Sequence, residues 1–266
     1  MPSLIFTLIF INIASWSIIS DFHQQQPFVS FLDIGQGNSI LISNPRTTFL
    51  YDAGPNGFKT IGEINKLLPF YKKRIDILIL SHPDKDHYEG SFEILKKYNV
   101  SAIIIPPIHS EESGWLELLN LAKNKNIPII TLKESDKIQT PFENFSILNP
   151  STYTIKTLKK DNENSLVIKF SQNNNKTFLL TGDITTKTEN YLTNKFALKS
   201  DYLLIPHHGS KYSSSENFIK AIMPSLAIVQ VGKNSYGHPN KETLQRLKKI
   251  GVKYWRTDLN GNLLIR

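Results

Sequence analysis

No cysteine occurs among the 266 residues. That absence excludes a disulfide framework, a thiolate zinc site and a cysteine nucleophile, so any metal must be held by nitrogen and oxygen. It leaves the redox compartment open, since a chain without thiols suits either side of a membrane. Basic charge is missing from the front of the chain, where no Lys or Arg precedes Arg46. No internal repeat, low-complexity tract or linker divides the rest, which argues for a single large domain behind the first residues.

What is present narrows the class further. Hydrophobic residues make up 40% of the chain, enough to bury a sizeable core and to exclude a disordered protein. The net charge of +8 fits a phosphate-rich partner such as nucleic acid or an anionic membrane. Solvated helix ends at Lys72-Lys73-Arg74, Lys96-Lys97, Lys159-Lys160 and Lys248-Lys249 explain that charge almost as well. The first twenty residues, MPSLIFTLIFINIASWSIIS, carry no charged side chain and are long enough for one membrane-crossing helix. Without a basic n-region they read as a retained anchor in preference to a cleaved export signal. With both flanks poor in Lys and Arg, their orientation is not legible.

After a polar break at 21–26, short apolar strands are expected at 28–34, 39–43 and 47–51, separated by Gly, Asn and Pro turns as in an antiparallel meander. Periodicity then alternates: helix 60–71, strand 75–80, helix 88–98, strand 102–105, helix 111–125 and strand 128–132. Strands 145–148, 166–170 and 177–180 lead to helix 186–195 and strand 202–205. The chain closes with helix 215–222, strand 226–231, helix 241–250 and strands 253–256 and 262–265. This is an α/β pattern. Each half begins with strands and ends in helices, which permits two packed sheets with helices outside.

The chemistry-bearing residues share one place in this pattern, the point where an apolar strand runs out. Asp52 lies in LYDAG, Asp183 in FLLTGDI and His207-His208 in YLLIPHHGS, while SHPDKDHYEG at 81–90 crowds His82, Asp84, Asp86 and His87 into six positions. Strand ends of layered sheets meet along one edge, so these stretches can share a cleft. A tight turn would point His82 and Asp84 one way and Asp86 and His87 another, forming two incomplete half-sites. A divalent ion takes about four to six ligands, which makes Asp183 and the His207-His208 pair the natural completions. Asp183 suits a bridge between ions ~3.5–4 Å apart. Asp52 alone is more readily a turn former than a ligand. His23 and His109 stand apart from the clusters.

These stretches resemble the metallo-β-lactamase superfamily, whose first signature, HxHxDH after a strand, reads here His82-Pro83-Asp84-Lys85-Asp86-His87. Together with DIGQGNSILI at 33–42, LYDAG, NENSLVIKF at 162–170, LLTGDI, PHHGS and SYGHP at 235–239, the pattern is similar to the extracytoplasmic hydrolase domain of ComEC-type competence proteins, over residues 27–266. The resemblance implies a four-layer αββα sandwich and a dinuclear site at one edge of the sheets. It implies a nuclease that degrades one DNA strand during DNA uptake. By the same resemblance His82 and Asp84 hold one ion, Asp86 and His87 hold the other, Asp183 bridges and His208 completes the second site. Catalytic roles fall to Asp86, His207 and His238, the last as a phosphate contact or proton donor to the leaving oxygen. Substrate contacts fall to Asn162, Ser165, Ser210 and His238.

Two departures matter. The superfamily's middle histidine ligand has no counterpart, the matching region offering Asn162 and Ser165, and Asp84 replaces a second histidine; more oxygen among the ligands favours manganese, with zinc still possible. Asn38 stands where the glycine-rich motif usually ends in aspartate, which would reduce activity if that aspartate has a role.

The leading expectation is a metal-dependent phosphodiesterase acting on DNA, single-stranded for preference. It would be tied to a membrane by residues 1–20 and work on the extracytoplasmic face, in the periplasm or at the cell surface, beside a separate uptake channel. The alternatives are hydrolysis of a small phosphodiester such as a choline-type headgroup, and a catalytically weak module that binds DNA at a pore. Basic and aromatic residues interleave in Lys253-Tyr254-Trp255-Arg256 and Lys211-Tyr212, which favours a polymeric substrate.

Overall fold

Strand β1 (Phe28–Phe31) turns through β2 (Ile40–Ser43) to β3 (Thr48–Tyr51) as the antiparallel meander expected from their turns. These coordinates form a computed structural model that describes residues 6, 7, 9, 10, 12, 26–158, 161–172 and 176–266. The expected membrane segment at 1–20 therefore falls mostly outside the described residues. Among the described residues no helix is long and apolar enough to cross a membrane.

From β3 the chain changes to parallel pairing with β4 (Arg74–Ile79), β5 (Asn99–Ile105) and β6 (Ile129–Thr131), and the final strand β14 (Leu263–Ile265) joins β1 at the opposite edge. The second sheet has the same plan. Its strands β7 (Lys137–Gln139), β8 (Glu143–Asn149), β9 (Val167–Gln172) and β10 (Thr177–Leu180) are antiparallel, and β11 (Tyr202–Leu204), β12 (Leu226–Val229) and β13 (Tyr254–Arg256) continue in parallel. The result is two mixed sheets of seven strands each, flanked by helices.

Side-chain alternation sorts the core into three layers, because successive residues of a strand face opposite ways. Ile40, Ile42, Phe49 and Tyr51 meet Phe145, Ile168, Phe178 and Leu204 between the sheets. Leu41, Leu50 and Leu78 face helix residues Ile64, Ile94, Trp115 and Leu118, while Leu179, Leu203 and Val229 face Leu192, Phe218 and Leu247. Strands covered on both faces read as near-continuous apolar runs, which is why β4 and β11 stood out in the sequence.

Helices at Thr186–Lys195 and Lys241–Ile250 lie where periodicity placed them. The helix expected at 60–71 runs instead from Gly57 to Asn65. The Asn56 carboxamide accepts from the Lys59 amide and starts it early, and Pro69 closes the region beyond. The helix expected at 88–98 is two segments, Lys85–Tyr88 and Ser91–Lys97. Between them Gly90 lies so close to the LYDAG turn that a Cβ there would sit 2.1 Å from the Ala53 carbonyl oxygen, and its amide donates to Gly54 at 2.7 Å. This contact clamps the SHPDKDHYEG loop onto the end of β3.

Candidate metal centre

All four strand-end stretches arrive at one edge. His82 and Asp84 follow β4 in an extended turn, whereas Asp86 and His87 lie on the short Lys85–Tyr88 helix. The Asp86 backbone carbonyl accepts from the Asn38 amide at 3.2 Å, and a Cβ on Gly37 would come within 2.1 Å of that oxygen, so only glycine lets the GQG turn approach the ligand loop. Asp183 follows β10. His207 and His208 follow β11 in a short turn where both take left-handed backbone angles, φ 51° and 52°.

The four histidines converge on Asp183. Its carboxylate oxygens lie 3.3 Å from His87 Nε2, 3.5 Å from His208 Nε2, 3.7 Å from His207 Nε2 and 3.9 Å from His82 Nε2. Asp86 lies 3.2 Å from His208 Nε2 and 3.8 Å from His87 Nε2, and Asp84 is 3.4 Å from His82 Nε2. Two groups have ligand atoms close enough for one ion each: His82, His87 and Asp183, and Asp86, His87 and His208. Asp84 belongs to neither group and is partly exposed. His208 is buried within its group, while His207 lies at the rim.

What holds the imidazoles is a second ring of partners. Asp52 is fully buried, takes His87 Nδ1 at 2.8 Å, and accepts the Ser81 amide at 2.7 Å and the Ser81 hydroxyl at 2.8 Å. The same hydroxyl meets His82 Nδ1 at 2.9 Å, and His208 Nδ1 meets the Gln230 carbonyl at 2.9 Å. A carbonyl or carboxylate partner calls for Nδ1–H, which leaves each Nε2 lone pair free when the ring is neutral. Those Nε2 atoms on His82, His87 and His208, together with Asp183 Oδ1, are buried without a hydrogen-bond partner. Orphaned buried acceptors of this kind are costly in a dry interior, and a divalent cation satisfies them. The residues fit a metal.

The charges agree. Burial alone would raise the Asp183 carboxyl, yet His208 and His87 outweigh it and hold it well below the usual carboxylate range. Asp86 is likewise depressed against burial by His87 and His208, and Asp84 by His82. Burial would lower His87 and His208, but Asp183 is the chief influence that overturns this and holds both above the usual histidine value. His238 goes the other way, pushed down to about 4 by burial and by His207 and His208. Its ring lies 5.4 Å from that of His207, in a cleft of about 170 Å³ lined also by Gln36, Asp84 and Tyr236.

Other expected site residues are placed differently. Ser165 is fully buried; its hydroxyl donates to the Asn162 carbonyl at 2.7 Å and accepts from the Asp183 amide at 3.2 Å, so it supports the Asp183 turn and faces no cleft. Ser210 is buried too, its hydroxyl accepting from the Tyr212 amide at 3.3 Å. Asn162 lines an adjoining cavity. Asn38 is buried with both ends of its carboxamide unpartnered. Asp52, read chiefly as a turn former, is in addition the residue that orients His87, and its position at a strand end beside the other clusters was the signal for that role. Gln230 acts through its backbone, which no side-chain pattern reveals.

The metallo-β-lactamase superfamily model matches residues 32–233. ComE operon protein 3 of Bacillus subtilis is 31% identical over 90% of this chain, and the competence protein ComA of Neisseria gonorrhoeae is 30% identical over 90%. The match covers 33% and 32% of those proteins, so the chain spans about a third of the length of each. Among solved structures, the metallo-β-lactamase fold protein YhfI of Bacillus subtilis superposes with a TM-score of 0.60 at 10% identity, covering 90% of this chain and 100% of that one.

Proposed function

This chain belongs to the metallo-β-lactamase superfamily, and from that premise we propose that it is a metal-dependent phosphodiesterase that degrades DNA during uptake. The observation that carries the metal requirement is the set of buried Nε2 and Oδ1 atoms around Asp183 without hydrogen-bond partners. The DNA assignment is supported by the competence proteins of similar sequence and by the net charge of +8.

In this reading His82 and Asp183 would hold one divalent ion and Asp86, His87 and His208 the second, because His87 Nε2 has one lone pair and, with Nδ1 given to Asp52, serves one ion. Asp84 adds a carboxylate on the His82 side. That allotment is the one expected from spacing, which gave His87 to one ion alone. Manganese suits the carboxylate share of the set, with zinc the alternative. Bound there, the ions supply positive charge that activates water and stabilises the extra charge on phosphorus. Asp52 and Ser81 fix the orientation of His87 and His82. His207 faces the phosphate from the rim. His238 is neutral at physiological pH, since its value near 4 lies far below it, and so it contacts the phosphate as a neutral donor. Association with the extracytoplasmic face of a membrane belongs to the same reading.

The test is incubation of the protein with single-stranded DNA and manganese or zinc. Metal-dependent cleavage that disappears in Asp86→Ala supports the nuclease. Hydrolysis confined to small diesters, or salt-sensitive DNA binding without cleavage, would each replace it.

A further inference from the structure

The cleft at the metal cluster continues outward. His207 lines both it and an adjoining cavity of about 470 Å³ whose walls include Asn162, Thr186, Lys187 and Tyr212. Lys187 in turn lines a third hollow of about 710 Å³, with Tyr153, Tyr191 and Lys195. With His207 and Lys187 as shared walls, the three cavities lie side by side in a row, here called the trough, and the Thr186–Lys195 helix beside them is about 15 Å long. Lys187, Tyr191 and Lys195 recur at four-residue spacing and so share one face of that helix.

The trough is lined by exposed rings and by cations. Tyr153 is 52% exposed and stacks on Tyr191, with centroids 5.3 Å apart and planes 14° from parallel. Nearer the metal cluster Tyr212 is 65% exposed, with the Lys211 ammonium 4.9 Å from its ring centre. The acidic groups along the trough are already engaged. Glu163 is buried and accepts from the Thr185 and Thr188 hydroxyls, and Glu134 accepts from Tyr191 and Lys195. Among the described residues neither Lys187 nor Lys211 has an ion-pair partner. Flat rings interleaved with free cations fit a polyanion that carries aromatic bases on a flexible backbone. A small headgroup would fill only the first cavity and leave Tyr153 unused, and a duplex would hide the base faces that a stacked tyrosine offers to meet.

We propose that this trough is a binding track for single-stranded nucleic acid, in which Tyr153 and Tyr212 stack bases while Lys187 and Lys211 follow the backbone toward the metal cluster. Delivery of a phosphodiester to the metals rests on the phosphodiesterase reading; the binding itself does not. The test is fluorescence anisotropy of a labelled single strand of about ten nucleotides, with a duplex for comparison. Wild-type protein is expected to bind the single strand with steep salt dependence. Tyr153→Ala is expected to weaken it roughly tenfold, Tyr153→Phe to keep the affinity, and Lys187→Ala to flatten the salt dependence. Wild type that binds no single strand overturns the track, as does unchanged affinity in Tyr153→Ala or an equal loss on duplex. If Tyr153→Ala loses affinity in a protein that cleaves no phosphodiester, the track stands and the nuclease reading falls.

Discussion

Asp183 and Glu189 are carboxylates with almost no exposure, six residues apart in the chain, and their surroundings are opposite. Glu189 takes the Ser214 and Ser215 amides, the latter at 2.8 Å, so both its oxygens are satisfied by the protein. Glu163, also buried, is served by the Thr185 and Thr188 hydroxyls. Asp183 instead faces four imidazoles, and its Oδ1 makes no hydrogen bond, with His87 Nε2 at 3.3 Å as its ion-pair neighbour. Their charges part accordingly: burial pushes the Glu189 carboxyl up despite its two amides, while His208 and His87 hold Asp183 down despite burial. A buried carboxylate saturated by its own fold stabilises that fold. One surrounded by buried nitrogens that lack hydrogen-bond partners fits a cation.

The strongest way to break that contrast is Asp183→Ala. Removing the carboxylate on which four imidazoles converge should lower metal-dependent hydrolysis by about three orders of magnitude or more. Initial rates at saturating metal decide it, and a variant within about tenfold of wild type would mean that the orphaned atoms are not the reaction centre.

Next in size is Asp52→Asn. The change keeps the shape at a left-handed position that Asn tolerates, but removes the charge that orients His87 through Nδ1. Outer partners of metal-bound histidines are typically worth about 10–100-fold in metal affinity, and titration calorimetry should show a loss in that range with the fold intact. A variant that binds metal as tightly as wild type would return Asp52 to the turn-forming role its sequence position first indicated.

Proton linkage sharpens the contrast without a mutation. In the metal-free protein the raised His87 and His208 contribute stability that is fully present below the ordinary value of 6.5 and is lost as pH rises through their folded values. The depressed Asp183 contributes stability present above 3.8 and lost as pH falls through its folded value. The cluster is therefore most self-sufficient between those limits, and a metal must displace protons from the histidines to bind. Calorimetry in buffers of different ionisation enthalpy should record proton release, with affinity tightening as pH rises. Binding with no proton exchange would remove His87 and His208 from the ligand set.

Much of this was legible because polar residues that end apolar strands advertise themselves. His82, Asp86, His87, Asp183 and His208 meet as their strand-end positions required. Strand β10 and the Thr186–Lys195 and Lys241–Ile250 helices begin and end where their apolar period does. What escaped has physical causes. Direction is not written in residue type, so Ser165, expected to face a substrate, turns inward to the Asp183 amide. That His87 lies within reach of both groups depends on how the short Lys85–Tyr88 helix packs under the GQG turn, a contact between residues far apart in sequence. Strand β7 alternates exposed and half-buried residues at a sheet edge, and the Thr152–Thr157 helix buries only Thr154, so neither carries an apolar period to read.

The smallest effect on chemistry is expected from Glu189→Gln, and it is the control on which the contrast depends. The substitution keeps one acceptor and turns the other oxygen into an amide donor facing a backbone N–H, so one of the Ser214 and Ser215 amides loses its partner in a buried site. An unsatisfied buried donor costs about 1–3 kcal/mol, which urea denaturation should register as a lower midpoint with an unchanged slope. Those serines belong to the segment that follows the His207-His208 turn, so the loss could reach the ligands if that segment set their position. The His208 ring, however, is fixed through the Gln230 carbonyl, and the turn by the bond from the His207 amide to Gly182. Metal affinity is therefore expected to stay within about twofold of wild type, well below the effect of a lost outer-shell partner. A tenfold loss, about 1.4 kcal/mol, would show that the saturated cluster tunes the metal ligands, and the division between a cluster that holds the fold and one that holds the ion would no longer stand.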